Sequence, residues 1–375
     1  MAKSYSEFYP GKKQKKRRPA LIASIVVLTL IALALLLFYG LQKYIVITND
    51  GLHLDIPLLS GSTSRIEVND EGQNVRVFTP VDIELIEVEA DYGSIKATAG
   101  ENLTDAVKAV FIPASRFSAD TVRSEAAGLE YGNALVIEVK PNSGALVYNS
   151  KVEFAQAYGT AGQADLAALV KEIKDGEKDV YLVAEVNCLI DTLVPGRNPK
   201  VALKTADGAS FENAEGAWVD PYNAEYRRYI VSLCKELSDM GFDEIELNGV
   251  KQPAVEEGTT LVYPSTSNPN VTASAACSGF AMSMARSLKG INAAISVRLN
   301  SDAAFAYGTD EVSGQNAGLF FKLYDRIYYY VDSYNAASAI ESAQQYVELG
   351  DVKLRFVPVC YGSTPDTDCW VFTQG

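Results

Sequence analysis

From residue 107 onward, eight short runs rich in β-branched and aromatic residues alternate with stretches of helical periodicity. That alternation constrains the fold more than any other feature of the chain, because strands interleaved with helices favour a parallel sheet. The runs lie at 107–112, 134–139, 180–187, 243–248, 292–299, 326–331, 353–359 and 370–373. Helical stretches at 119–129, 162–174, 222–240, 274–289, 315–324 and 336–348 fill most of the gaps. Eight strands over about 270 residues predict an α/β fold of the (β/α)8 TIM-barrel type, which takes about 250 residues. The pattern lacks a helix after the eighth strand. An open doubly wound sheet is the competing fold, but no Gly-rich nucleotide loop follows the first strand.

The fourth run, GFDEIELN at 241–248, has two faces of opposite character. Strand side chains alternate, so Ile245 and Leu247 point one way and Glu244, Glu246 and Asn248 the other. Acids inside a buried strand are costly unless paired or used. The strand is therefore either the floor of a polar active site or the charged interior of a barrel. The helix before it is well marked. Asp220 is expected to cap it, Pro221 suits its first turn and Gly241 its end.

The N-terminal part is of another kind. A basic run, KKQKKRR at 12–18, precedes the uncharged residues 19–42. About 20 apolar residues span a bilayer, so 19–42 reads as one transmembrane helix. The apolar stretch is too long for a secretory signal peptide, and no cleavage site follows it. Positive charge on its N-terminal side predicts a cytoplasmic tail at 1–18, a single pass through the plasma membrane and an extracytoplasmic body. Residues 44–105 hold short β-branched runs broken by Gly, Asn, Asp and Pro, and read as a β-rich stalk or subdomain. The barrel domain is then 107–375.

Charge and composition narrow the function classes. The chain has 33 Lys and Arg against 47 Asp and Glu, a net charge of -14. Eight of the basic residues and one acid lie within 1–43, so the remaining body is more acidic still. An acidic body argues against nucleic acid as a partner. The only histidine is His53, which removes a Ser-His-Asp triad from the barrel. The five cysteines form no C-x-x-C pair, so neither a zinc nor an iron–sulfur site is expected. No metal and no cofactor is implied.

Active sites of such barrels lie at the C-terminal ends of the strands. Strand parity turns Glu138 and Lys140, Glu185, then Glu244, Glu246 and Asn248, Arg298, and Tyr330 inward, with Asp191 just beyond the third strand. Paired carboxyls flanking a sugar bond are what glycoside hydrolysis requires. Glu138, Glu244, Glu246 and Asp191 are accordingly the catalytic candidates. Lys140, Glu185, Trp218, Asp220, Asn248, Arg298, Tyr330 and Trp370 are the candidates for binding substrate. Each has a structural counter-reading: interior acids and bases can be satisfied ion pairs, Asp220 a helix cap, Trp218 a packing anchor.

The segments NALVIEVK (133–140), VYLVAEVNCLID (180–191), WVDPY (218–222) and GFDEIELNGVKQP (241–253) stand in a familiar order and spacing. They resemble a bacterial family of predicted glycoside hydrolases with an α-amylase-like TIM barrel. The likeness runs on through AISVRLN (294–300), SGQ (313–315), DRIYYYVDSY (325–334) and CWVF (369–372). It implies a polysaccharide or glycan ligand. The departures fall on polar positions. The family's strand-three Arg is Glu185 here, the Asp ending strand four is Asn248, and the strand-five Asp is Arg298. An amide cannot serve as nucleophile or base. A charge-swapped pair between Glu185 and Arg298 is expected, with two outcomes for function. One is a membrane-anchored, extracytoplasmic glycoside-hydrolase-like protein, catalytically active or impaired. The other is a non-catalytic barrel serving as a glycan-binding or protein-interaction scaffold at the cell surface.

Overall fold

All eight runs become strands of one closed, parallel barrel in the computed structural model. They are β1 (Lys108–Ile112), β2 (Ala134–Lys140), β3 (Tyr181–Asn187), β4 (Glu244–Asn248), β5 (Ala294–Leu299), β6 (Arg326–Tyr330), β7 (Phe356–Tyr361) and β8 (Trp370–Thr373). Neighbours in sequence are neighbours in the barrel, and β8 closes onto β1 through Trp370 opposite Lys108 and Phe372 opposite Val110. The structure describes residues 95–373 except 102 and 131, together with the backbone of four short strands nearer the N-terminus.

Those four strands form two antiparallel hairpins, Ile45–Thr48 with Gly51–Leu54 and Ser64–Val68 with Asn74–Phe78. They belong to a separate compact unit, Met1–Thr79, while the barrel belongs to Pro80–Gly375. The expected transmembrane segment at 19–42 and the β-run expected at 83–88 lie outside the described residues. Among the described residues no helix is long and apolar enough to cross a membrane.

The larger helices sit between consecutive strands, as the periodicity predicts. They are α1 (Ala119–Gly128), α2 (Leu166–Lys174), α3 (Ala224–Met240), α4 (Ala273–Ser287), α5 (Ala317–Leu323) and α6 (Ala336–Ala343). In α3, Tyr226, Tyr229, Ile230, Leu233 and Leu237 recur at helical spacing and are buried. They pack with Ile245 and Leu247 on the outer face of β4. Gly241 ends the helix at φ 102°, a left-handed conformation that favours glycine. The cap is not Asp220, however. Asn223 accepts from the Tyr226 N–H and starts the helix, while Asp220 is committed to the backbone N–H groups of Tyr222 and Ser265.

One strand boundary also differs from expectation. Residues 353–355, read as strand, belong to a helical turn, Val352–Arg355, and β7 begins at Phe356. Arg355 is fully buried there and donates to the carbonyls of Phe321, Tyr324 and Leu349. It thereby satisfies carbonyls near the end of α5, a tertiary demand that local pattern does not reveal.

The inside of the barrel is divided. Ala109, Val136, Val183, Val357, Val359 and Val371 form an apolar cluster. Glu185, Glu244, Glu246, Ser296, Arg298 and Arg326 are buried polar residues of β3 to β6. Apolar packing on one side thus leaves a polar network on the other.

Candidate functional site

The polar side of the barrel is built in tiers. At the N-terminal ends of the strands, Glu244 accepts from the hydroxyls of Tyr181 and Tyr328, each at 2.9 Å, and pairs with Arg326. Arg326 also donates to the backbone carbonyls of Leu354 and Asp105. Glu244 is 0% exposed and lies far along the strand from the mouth. This tier is a saturated ion pair that plugs the barrel floor. The alternative posed by β4 resolves here: Glu244 is charged interior.

Two residues further along β4, Glu246 meets Arg298 of β5. Arg298 Nε donates to Glu246 Oε1 at 2.6 Å, and its Nη2 donates to Glu185 Oε2 at 2.7 Å. Its third arm reaches the Tyr330 hydroxyl. The expected charge-swapped pair across β3 and β5 is therefore formed, and one guanidinium serves two carboxyls. Burial pushes the Glu246 carboxyl up to about 8 against the pull of Arg298, with the Glu185 charge adding to the rise. Glu246 Oε2 has no hydrogen-bond partner. Burial works against the Arg298 charge, but Glu185 and Glu246 hold its pKa well above the ordinary value.

Asn248, at the mouth end of β4, completes the network. Its Nδ2 donates to Glu185 Oε1 at 3.1 Å, and its Oδ1 accepts from the Gly249 N–H at 2.7 Å and from Asn300 at 3.3 Å. Gln315 fixes this corner from behind, accepting from the Asn300 N–H and donating to the Val250 and Arg298 carbonyls. Asn187 binds Asn142 on the neighbouring loop. Tyr330 stacks on Tyr361 with centroids 5.5 Å apart and planes at 12°, and Arg298 lies 4.9 Å from the Tyr330 centroid. Tyr361 is 60% exposed.

Glu138 stands apart from the other inward acids. Its Oε2 accepts from the Ala114 N–H at 2.7 Å, and among the described residues it has no ion pair. Partial burial raises its pKa, and its register partner Glu185 raises it further. A register shift between Glu138 and Lys140 separates the two candidates on β2. Lys140 is 0% exposed and lies 2.9 Å from Asp191 Oδ2, without hydrogen-bond alignment.

Asp191 is equally enclosed. It accepts from the Tyr226 hydroxyl at 2.9 Å and from the N–H groups of Leu193 and Val194. Gly144 crosses so closely that a Cβ on it would stand 2.0 Å from Asp191 Oδ1. Three hydrogen-bond donors, the Lys140 ammonium and a zero exposure leave this carboxylate no room for substrate.

The sequence-derived candidates thus divide. Glu138, Glu185, Glu246, Asn248, Arg298 and Tyr330 converge on one network at the mouth. Glu244 is held at the opposite end, and Trp370 starts β8 there, out of phase with inward Val371. Trp218 is 0% exposed within a cluster with Ile190, Leu203 and Tyr222, and its indole N–H donates to Asn213. It anchors the loops between β3 and α3, where no sugar can stack on it. Asp220 ties that region to the 251–274 loop. Tyr361 lies beyond the strand end expected at 359, and Gln315, though part of the SGQ segment, carries no charge or aromatic ring to mark it as a site residue. Arg326 was readable, since it shares the parity of Tyr328 and Tyr330. Among the described residues no group of three or more His, Cys, Asp or Glu could hold a metal ion.

No curated protein sequence matches the chain. Among solved structures, the glycoside hydrolase domain of PgaB (BpsB) from Bordetella bronchiseptica is similar at a TM-score of 0.50 and 12% identity. That match covers 71% of this chain and 93% of the other. A hypothetical protein from Ruminiclostridium thermocellum is 20% identical over 50% of this chain and 96% of its own, with a TM-score of 0.43. At 12% identity the likeness to the PgaB domain speaks for the fold alone. Residues 111–331, more than half of the chain, match the model of the family described as "Putative glycosyl hydrolase domain", and the chain belongs to that family.

Proposed function

We propose that this protein is a membrane-anchored, extracytoplasmic carbohydrate-binding barrel in which the hydrolytic site of its family has been converted into a binding site. The observation that carries the reading is the double commitment of Arg298 to Glu185 and Glu246. Hydrolysis needs two available carboxyls, one as acid and one as base or nucleophile. Glu185 and Glu246 are tied to Arg298, Asp191 to Lys140, and Asn248 stands where the resembled family has an acid. Among the described inward acids, only Glu138 is both partly exposed and without an ion pair. A lone acid can grip a sugar hydroxyl or protonate a leaving oxygen, but it cannot also supply the second role.

The fold family and the polar mouth support carbohydrate as the ligand. The basic run at 12–18 followed by an uncharged segment at 19–42 supports membrane anchoring with the barrel outside. The test is a glycan-binding panel with the full-length protein in detergent, alongside hydrolysis assays on cell-wall and storage polysaccharides. Binding without turnover is expected. Turnover lost on Glu138→Gln would favour the second reading, a divergent hydrolase with Glu138 as acid. Failure to bind any glycan would favour a protein-interaction scaffold.

A further inference from the structure

The network at the mouth carries more negative than positive charge. With Glu246 largely protonated near neutral pH, the carboxyls of Glu138 and Glu185 still face one guanidinium, that of Arg298. The nearby Lys140 and Lys251 are already matched to Asp191 and Glu215. Arg298 has placed all three of its donor arms, on Glu246, Glu185 and Tyr330, and none reaches Glu138. Glu138 therefore offers a partly exposed carboxylate with one oxygen held by a backbone N–H and the other free.

A second observation is independent of this charge count. Glu246 is 0% exposed and its Oε2 is an orphan acceptor in the same inward network. Buried acceptors without partners are uncommon and call for an explanation. A cationic donor at the mouth would compensate the surplus at Glu138, while the enclosed Glu246 oxygen lies out of its direct reach. A third observation concerns shape. Tyr361 presents a ring 60% exposed at the end of β7, held flat by its stack on Tyr330. A braced aromatic face takes the C–H face of a pyranose and also attracts a nearby cation. The amides of Asn248, at the mouth end of β4, and Asn300, just after β5, offer hydrogen bonds to hydroxyls.

A single ligand class combines an ammonium, a flat apolar face and several hydroxyls. We propose that the mouth is a subsite for a hexosamine bearing a free, protonated amine, with the ammonium paired to Glu138 and the ring face on Tyr361. This rests on the carbohydrate-binding reading and names its ligand. An N-acetylated sugar would bring a neutral amide to the Glu138 carboxylate and leave its charge uncompensated, so the subsite discriminates by charge.

The experiment uses the full-length protein against glucosamine and galactosamine oligosaccharides of several linkages. Each is compared with its N-acetylated counterpart and with the corresponding neutral hexose oligomer, by titration calorimetry. The expected result is about tenfold or stronger preference for the amine, which a single charged contact of about 1.4 kcal/mol supplies. The preference should shrink as salt is raised and vanish in Glu138→Gln. Salt dependence in the unmutated protein keeps the test decisive if that variant folds poorly. Equal binding of amine, acetylated and neutral sugars would overturn the amine assignment and leave the carbohydrate reading intact. An amine preference that survives Glu138→Gln, or is insensitive to salt, would also overturn it. Binding of no sugar at all would overturn the carbohydrate reading, and this inference with it.

Discussion

Arg298 neutralises Glu185 and donates to Glu246, and without it both carboxyls would stand unpartnered in the barrel interior. Removing one partner of a buried ion pair costs about 3–5 kcal/mol, because the other charge remains desolvated. Arg298→Met should therefore lower unfolding stability by about that amount at neutral pH. The loss should shrink when Glu185→Gln and Glu246→Gln are added; urea unfolding of the single and triple variants measures the difference. Glu246 adds a pH dependence of defined sign. Its native pKa, about 8, lies above that of the unfolded chain, so between those values the native state binds more protons than the unfolded one. Stability contributed by its protonation is present at low pH and is lost as pH rises toward 8. Glu246→Gln, which keeps the protonated shape, should flatten the stability–pH curve between about pH 5 and 8. A slope unchanged by that substitution would assign the proton elsewhere.

At the level of elements, α3 and the loops around it divide the labour of neighbouring polar residues. Asn223 caps the helix, and its loss should cost about 1 kcal/mol in a thermal or urea melt. Asp220, three residues earlier, instead joins the turn before α3 to the 251–274 loop through the Ser265 N–H. Asp220→Ala should leave the helix cap intact and open that loop. Limited proteolysis should then cut within 251–274 sooner than in the unmutated protein. Equal cutting rates would show that the loop is held by its other contacts, such as the Gln252 N–H on the Ser313 carbonyl.

At the scale of the whole barrel, the large exposed hydrophobic residues among the described residues gather on one end. Val255, Val262, Tyr307, Val312, Tyr334 and Tyr361 all lie on segments at or just after the C-terminal ends of β4 to β7. Exposed apolar surface concentrated on one face marks an interaction site, and here that face carries the mouth. All five cysteines are buried and unpaired, so a cysteine introduced at an exposed site would be the one thiol open to reagent. Tyr307, 85% exposed, is such a site. If the barrel lies outside the membrane, Tyr307→Cys should react with a membrane-impermeant maleimide on intact cells, and the unmutated protein should not. Labelling only after cell lysis would place the barrel on the cytoplasmic side.

Much of this architecture is legible before folding. The eight strands could be read because period-two and period-3.6 patterns are local consequences of backbone geometry. Parity then oriented Glu185, Glu246, Arg298 and Tyr330, since a strand can present only two faces. The exchange of charge between positions 185 and 298 was also visible as a compensated pair. Depth was not. Glu244, Glu246 and Asn248 share one face of β4, yet Glu244 is spent on Arg326, Glu246 on Arg298, and Asn248 borders the mouth. Which charge meets which depends on strand stagger and on residues up to 113 positions apart. The enclosure of Asp191, the burial of Trp218 and the helical turn at Arg355 likewise arise from loops and helices packing over them. Sequence determined the faces of the strands, because that information is local. Tertiary structure decided which acids remain free, because desolvation and ion pairing depend on neighbours that only the closed barrel brings together.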